Sequence, residues 1–404
     1  MRDGSRAGIP LSLGLFLVTL KNAKILVTGA NGFLGARLVE FLALEYGADV
    51  RALVRDVRRS VRLCRLPVEI VVGDVRDERS VKRAVEGCSI VVHCASAVDA
   101  SSPRSCSTYV GTKIVAHAAR QQNVARLVHV SSAAAYGSPG DVDVNEDYPV
   151  KERWKGDVYG AAKIAGEEII ASECLEGLAA AIIQPTIIYG PYSMEWSVAP
   201  LSTLRQGNYV VPTTGRCNPV YVDDVVRAIL LAATKRNAIG KRYIVSGRET
   251  LSWGEFYGYY SRMGTEGQVI AAGEDEYRSL TRQEPAKTVG EVLRTIARSS
   301  EVRKVAKDNR IVKGVYALAQ RLISEKRLRQ LKHTVLQKMS ESHYGADDLK
   351  RPSICPAPAL WNLYRNEARY SIKKANAEMG YEPKVSLEHG MQLTGEWAKW
   401  ARLI

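Results

Sequence analysis

The stretch "KILVTGANGFLGARLVEF", from Lys24 to Phe41, constrains the fold more than any other. A short apolar run ends on glycine. An amphipathic run follows at once, with Leu34, Leu38, Phe41 and Leu42 on one side and Gly47 past its end. That order reads as a strand, a tight turn and a helix. Gly29 permits the turn, Gly32 lets backbone approach a pyrophosphate, and Gly35 lets the helix pack closely on the strand. The free N–H groups at the helix start then face phosphate. Asn31, Phe33 and Leu34 fall in the same expected dinucleotide loop. A glycine-rich turn without a ligand is the alternative, and the flanking strand and helix argue against it.

The alternation continues along the chain. "DVRALVR", "VEIVVGD", "CSIVVHCA" and "RLVHVSS" read as strands, and "DERSVKRAVEG" and "GTKIVAHAARQQN" as helices. Near-continuous apolar strands between helices predict a parallel sheet covered on both faces. The fold class is therefore α/β: a Rossmann-type, doubly wound parallel sheet with a smaller C-terminal substrate-binding domain. The expected division is an N-terminal extension over 1–22, a dinucleotide-binding domain over 23–190 and a substrate domain over 191–404. A basic helical insertion is expected at about 275–355 within the last of these.

Composition sets limits. Apolar residues make up 46% of the 404 and charged residues 25%, enough apolar material for a large core. Seven scattered cysteines show no zinc or thioredoxin spacing, and the six histidines form no ligand pattern, so no metal site is expected. Reduced thiols point to the cytoplasm. The apolar run near the N-terminus, "IPLSLGLFLVTL", is too short to span a bilayer, and a strand follows it directly. It reads as a packed or loose extension, with membrane tethering as the alternative.

"YGAAK" puts Tyr159 and Lys163 one helical turn apart. It follows "VSSAAAYG", with "NEDYP" between, and the glycine spacing upstream is GxxGxxG preceded by Thr28. In these respects the chain resembles the extended short-chain dehydrogenase/reductases, the NAD-dependent epimerase/dehydratase family. The likeness extends to "GDVRD", "VVHCASAV", "QPTIIYGP", "NPVYVDDVVRAI" and "KANAEMGYEPKVSLEHGMQLTGEW", and covers roughly residues 24–265 and 370–400. It implies that Ser132, Tyr159 and Lys163 are catalytic. It also implies cofactor contacts from Asp74 and Val75 at the adenine, from Ala95, Ser96, Ala97 and Ser131 over the sheet edge, and from Pro185 and Ile187 near the nicotinamide. His93 reads as a core residue. The chemistry suits the spacing: a free phenol has a pKa near 10, and a nearby ammonium favours the phenolate. Tyr159 can then exchange a proton with a substrate oxygen that Ser132 also bonds.

The cofactor is expected to be NADP rather than NAD. Val54 stands where NAD-preferring relatives often carry Asp, and Arg55, next to it, suits a 2′-phosphate. Two departures from the family pattern bear on mechanism. Thr108 replaces the Asn of "NVxGT", which touches the proton-relay part, and Ile187 replaces the Asn of "RPxNVYGP". Ala133 and Ala134 take the place of the acid pair that dehydratases add after the serine, which discounts dehydration. The leading expectation is an oxidoreductase or epimerase acting at a carbinol or ketone carbon of a nucleotide sugar or polysaccharide precursor. The alternative is a 3β-hydroxysteroid-dehydrogenase-like enzyme for an apolar alcohol or ketone. A catalytically idle NADP-binding sensor is the third reading.

The basic segment 299–338 carries eleven Lys and Arg against three acids, net +8 of the chain's +14. It reads first as a solvated lid helix and second as a surface for an anionic membrane or an acidic partner. Nucleic acid is not expected, because no recognised module accompanies the charge. The expected partners are a small-molecule substrate and a second copy of the chain, since dimers are common in similar proteins.

Overall fold

Why these strands stack as they do follows from what each must bury. A computed structural model of the chain describes residues 19–97, 99, 102–150, 157–283 and 351–404. The strands include β1 (Lys24–Thr28), β2 (Asp49–Val54), β3 (Glu69–Val72), β4 (Ile90–His93), β5 (Arg126–Val130), β6 (Asp143–Val144), β7 (Ala180–Pro185), β8 (Ile187–Tyr189), β9 (Asn208–Pro212), β10 (Pro219–Tyr221) and β11 (Arg242–Val245). The main sheet has seven strands in the order β11-β7-β5-β4-β1-β2-β3, all parallel. Its central strands are rich in Val and Ile and are buried on both faces, which only helices on each side can satisfy.

Those helices are α1 (Phe33–Glu40), α2 (Glu78–Val85), α3 (Ser107–Gln121), α4 (Val158–Leu175) and, after α5 (Ala199–Gln206) of the smaller lobe, α6 (Val222–Thr234); α7 (Trp253–Ser261) packs with α5. One core packs α1 and α6 on the sheet through Leu38, Val39, Val226 and Ile229. The other packs α2, α3 and α4 through Val81, Val115, Ala119 and Ile170. Strand order reverses between β1 and β4, so a crevice opens there at the carboxyl edge, where ligands of such sheets bind. The doubly wound sheet expected from the sequence is present.

The sheet does not end where the sequence division at residue 190 would put it, because α6 and β11 lie beyond that point and belong to it. The chain builds a smaller lobe from segments on both sides of α6 and β11. There β8 pairs with β10, and Trp253, Phe256, Tyr257, Tyr260 and Tyr364 form a buried aromatic core. The helix Leu387–Trp400 belongs to the same compact unit, which comprises residues 1–271 and 356–404. A second unit comprises Ala272–Cys355 and includes a helix, Glu274–Gln283, that opens with three acids. The basic segment 299–338 and residues 1–18 lie outside the described residues. Among the described residues no helix is long and apolar enough to cross a membrane, and no group of His, Cys, Asp and Glu could hold a metal ion.

Candidate active site

The glycine turn is built as its spacing requires. Gly29 has φ +67°, and a Cβ there would lie 2.8 Å from the Ala95 backbone. A Cβ on Gly35 would lie 2.2 Å from the Gly29 carbonyl oxygen, so only glycine lets α1 seat on the turn. Asn31 donates through Nδ2 to the Asp56 carbonyl (3.4 Å), tying this loop to the end of β2. Phe33 and Leu34 are half-buried on the first turn of α1.

At the far end of the crevice the arginines Arg55, Arg58 and Arg76 are exposed and the carboxylates Asp56 and Asp74 half-buried. Arg55 stands in solvent after β2. Asp56 is occupied by Arg58, which donates from its backbone N, Nε and Nη2 at 3.0 Å each. Asp74 accepts from Arg76 in the same way, and that bond holds its carboxyl below the usual range. Val75 is buried against Gly111 of α3.

The loop after β4 is splinted by Thr108. Its Oγ1 accepts from the Ala97 N–H (3.0 Å), donates to the Ala97 carbonyl (2.9 Å) and meets the Ser96 hydroxyl (3.1 Å). The Ala95 N–H donates to Thr28 Oγ1 (3.3 Å). A threonine in place of the family's asparagine therefore braces the segment expected to lie over the cofactor. His93 is a core residue, as read from the sequence: it lies between Thr28 Oγ1 (2.8 Å) and Thr112 Oγ1 (3.1 Å) and stacks on His129.

Ser132, Tyr159 and Lys163 come together at the carboxyl edge. Ser132 caps the turn Ala133–Tyr136, its Oγ accepting from the Ala134 N–H (3.1 Å). Asp157 caps α4 by accepting from the Gly160 N–H (3.0 Å). A Cβ on Gly160 would lie 2.8 Å from the Ala134 carbonyl, so glycine after Tyr159 lets α4 approach the serine turn. The Tyr159 ring is 38% exposed to the crevice. Its hydroxyl lies deeper: burial raises its pKa, a hydrogen bond with Ser132 pulls it down, and the Glu195 and Asp157 carboxylates push it up. Lys163 is 2% exposed, donates to the Val130 carbonyl (2.8 Å) and lies 5.7 Å from the Tyr159 ring centre. Burial pushes its ammonium down to about 8, and the adjacent Cys94 thiol up to about 12.

Two placements depart from the simplest reading. The side chain of Ser131 turns away from the crevice and donates to Glu167, so any cofactor contact there falls to its backbone. Pro185 is buried in the sheet end, whereas Ile187 is half-buried at the start of β8. Sequence reasoning missed Glu167, Gln184 and Glu195. Glu167 was readable, because it follows Lys163 at helical spacing; Glu195 was not, because only the fold brings the segment Met194–Val198 to Tyr159. A groove of about 830 Å³ runs along another face of α4, lined by Ile164, Glu168 and Lys241, and does not contain the Tyr–Lys pair.

The NAD dependent epimerase/dehydratase family matches residues 25–246. Sterol demethylase protein B of Methylococcus capsulatus is 35% identical over 228 residues, covering 55% of this chain and 69% of that protein. A 3-beta-hydroxysteroid dehydrogenase of Mycolicibacterium neoaurum is 29% identical over 252 residues, covering 58% and 68%. The solved UDP-glucose 4-epimerase of Thermotoga maritima superposes with a TM-score of 0.61 at 19% identity, covering 94% of this chain and 99% of that one.

Proposed function

The chain belongs to the NAD dependent epimerase/dehydratase family, and from that premise we propose that this enzyme is an NADP-dependent dehydrogenase/reductase of an apolar ring alcohol or ketone. The glycine turn and the N–H groups of α1 fit a pyrophosphate, and exposed Arg55 fits a 2′-phosphate. When bound, the nicotinamide supplies the hydride chemistry.

The chain's own residues handle the proton. Ser132 bonds the substrate oxygen and steadies charge that develops on it. With burial holding its pKa up, Tyr159 keeps its proton at neutral pH and can deliver it to a ketone oxygen. Lys163, still largely charged near pH 7, anchors on the Val130 carbonyl and retains donors for a ribose.

The observation that carries the substrate class is the crevice rim. Ile187 replaces the polar residue of sugar-nucleotide enzymes, and Met194 stands 67% exposed on the segment that reaches Tyr159. Relatives named for sterol and 3-beta-hydroxysteroid chemistry support the same class. The likeness to the UDP-glucose epimerase, at 19% identity, speaks to the fold alone.

The test is purified protein with NADPH and with NADH against 3-ketosteroids, dihydroflavonols and UDP-glucose, followed by nicotinamide absorbance. Turnover of an apolar ketone that vanishes in Tyr159→Phe is the expected result. Turnover of UDP-glucose alone overturns the substrate class, and an undiminished Tyr159→Phe overturns the catalytic assignment.

A further inference from the structure

Helix α4 carries a third polar residue one turn beyond Lys163. Glu167 is 7% exposed. Its Oε1 accepts from the Ser131 hydroxyl and from Gln184 Nε2 (2.8 Å). Gln184 Oε1 in turn accepts from the Tyr136 hydroxyl (2.7 Å), and Arg242 Nη1 lies 3.5 Å from Glu167 Oε2. Ser131 and Gln184 donate to the carboxylate and Tyr136 donates to Gln184, so the bonds run in one direction, toward Glu167. A buried carboxylate without such partners would be costly, so the set stands or falls together. Burial raises the Glu167 pKa, and the bonds from Ser131 and Gln184 and the charge of Arg242 offset only part of that rise. The ammonium of Lys163 is the other charge nearby.

The donors come from the segments that frame the reacting groups. Ser131 immediately precedes Ser132. Tyr136 closes the turn that Ser132 caps. Gln184 precedes Pro185 at the end of β7, and Arg242 opens β11. Successive side chains leave a strand end in opposite directions, so fixing Ser131 toward α4 directs Ser132 toward the crevice. We propose that Glu167 is a positioning residue that sets the orientation of the Ser132 hydroxyl at the mouth of α4, beside Tyr159. It acts through Ser131 and touches neither the substrate nor the reacting atoms. The inference rests on the reading of Tyr159 as the proton donor.

The experiment uses the full chain and its Glu167→Ala, Glu167→Gln and Ser131→Ala variants. Tyr159 ionisation is read as the ultraviolet tyrosinate difference against Tyr159→Phe, NADPH affinity by fluorescence, and folded fraction by circular dichroism. Because the hydrogen bond with Ser132 lowers the Tyr159 pKa, losing that bond raises it. Glu167→Ala is expected to move the titration up by about half to one pH unit, with NADPH affinity within about threefold of wild type. With a ketone probe that wild type reduces, kcat falls about tenfold or more and KM stays near its starting value. Glu167→Gln, which keeps an acceptor oxygen, restores most of both. Ser131→Ala gives a smaller shift of the same sign and decides the matter should Glu167→Ala fail to fold. Folded variants with a wild-type Tyr159 titration overturn the proposal, as does activity lost only in proportion to the folded fraction. An undiminished Tyr159→Phe sinks the reading of Tyr159 as the proton donor instead, and the titration still decides the link between Glu167 and Ser132.

Discussion

At one end of the crevice, beyond β2 and β3, the charged groups stand at the surface and pair with their own neighbours: Asp56 with Arg58, Asp74 with Arg76. At the other end, around α4, Lys163, Glu167, His93 and His129 are all buried, and burial moves each of their pKa values. Exposed pairs contribute little to stability and are screened by salt. Buried groups are expensive and therefore held by partners from several segments. The first end can select a ligand without affecting the fold. The second cannot be altered without affecting both chemistry and stability.

The sharpest way to break that contrast is at the chemistry itself. Tyr159→Phe removes the only atom of the ring that exchanges a proton. Steady-state turnover of a substrate reduced by wild type should fall roughly a thousandfold, with NADPH affinity retained. Loss of cofactor binding instead would place Tyr159 in the cradle rather than in proton transfer.

Acid stability tests the buried end as a whole. His93 is pushed down to about 3 from an ordinary 6.5, by burial first and then by the Lys163 charge. Between those values the unfolded chain binds a proton that the folded chain excludes. Stability is therefore intact above about pH 6.5 and is lost as pH falls through that window, by on the order of 5 kcal/mol at its foot. His129 adds to this in the same direction, and both its ring nitrogens lack a hydrogen-bond partner. Denaturant titrations at pH 7 and pH 5 should show the loss, and His129→Leu should flatten it. An unchanged acid limb in that variant would mean the imidazole is solvated.

How far the sequence reached differs between the same two regions. The glycine turn, the alternating strands and the Tyr–Lys pair are local patterns, in which backbone geometry and one helical turn fix the outcome. Thr108 was visible as a departure but not as a splint, because its partners Ser96 and Ala97 are set by the β4 loop. Joining Glu167, Ser131, Gln184, Tyr136 and Arg242 requires knowing that β5, β7 and β11 are neighbours. The crossing back of the chain after residue 190 was hidden for the same reason: β11 is an edge strand whose Ile244 N–H is capped by Glu146 from a distant loop (2.8 Å).

The smallest effects are expected at the exposed end, and they concern preference rather than fold. Arg55→Ala should weaken NADPH about tenfold and leave NADH within about threefold, because only a 2′-phosphate needs the guanidinium. Arg58 acts on the same choice indirectly. It occupies both Asp56 oxygens from a side chain that is 87% exposed, so removing it should leave the melting temperature unchanged. It should also free a carboxylate beside Arg55. A free carboxylate repels a 2′-phosphate and accepts from a ribose 2′-hydroxyl. Arg58→Ala should therefore weaken NADPH about threefold and tighten NADH slightly, both read by fluorescence titration at low salt. A fall in melting temperature with no change in coenzyme preference would give this pair a structural role and erase the contrast between the two ends.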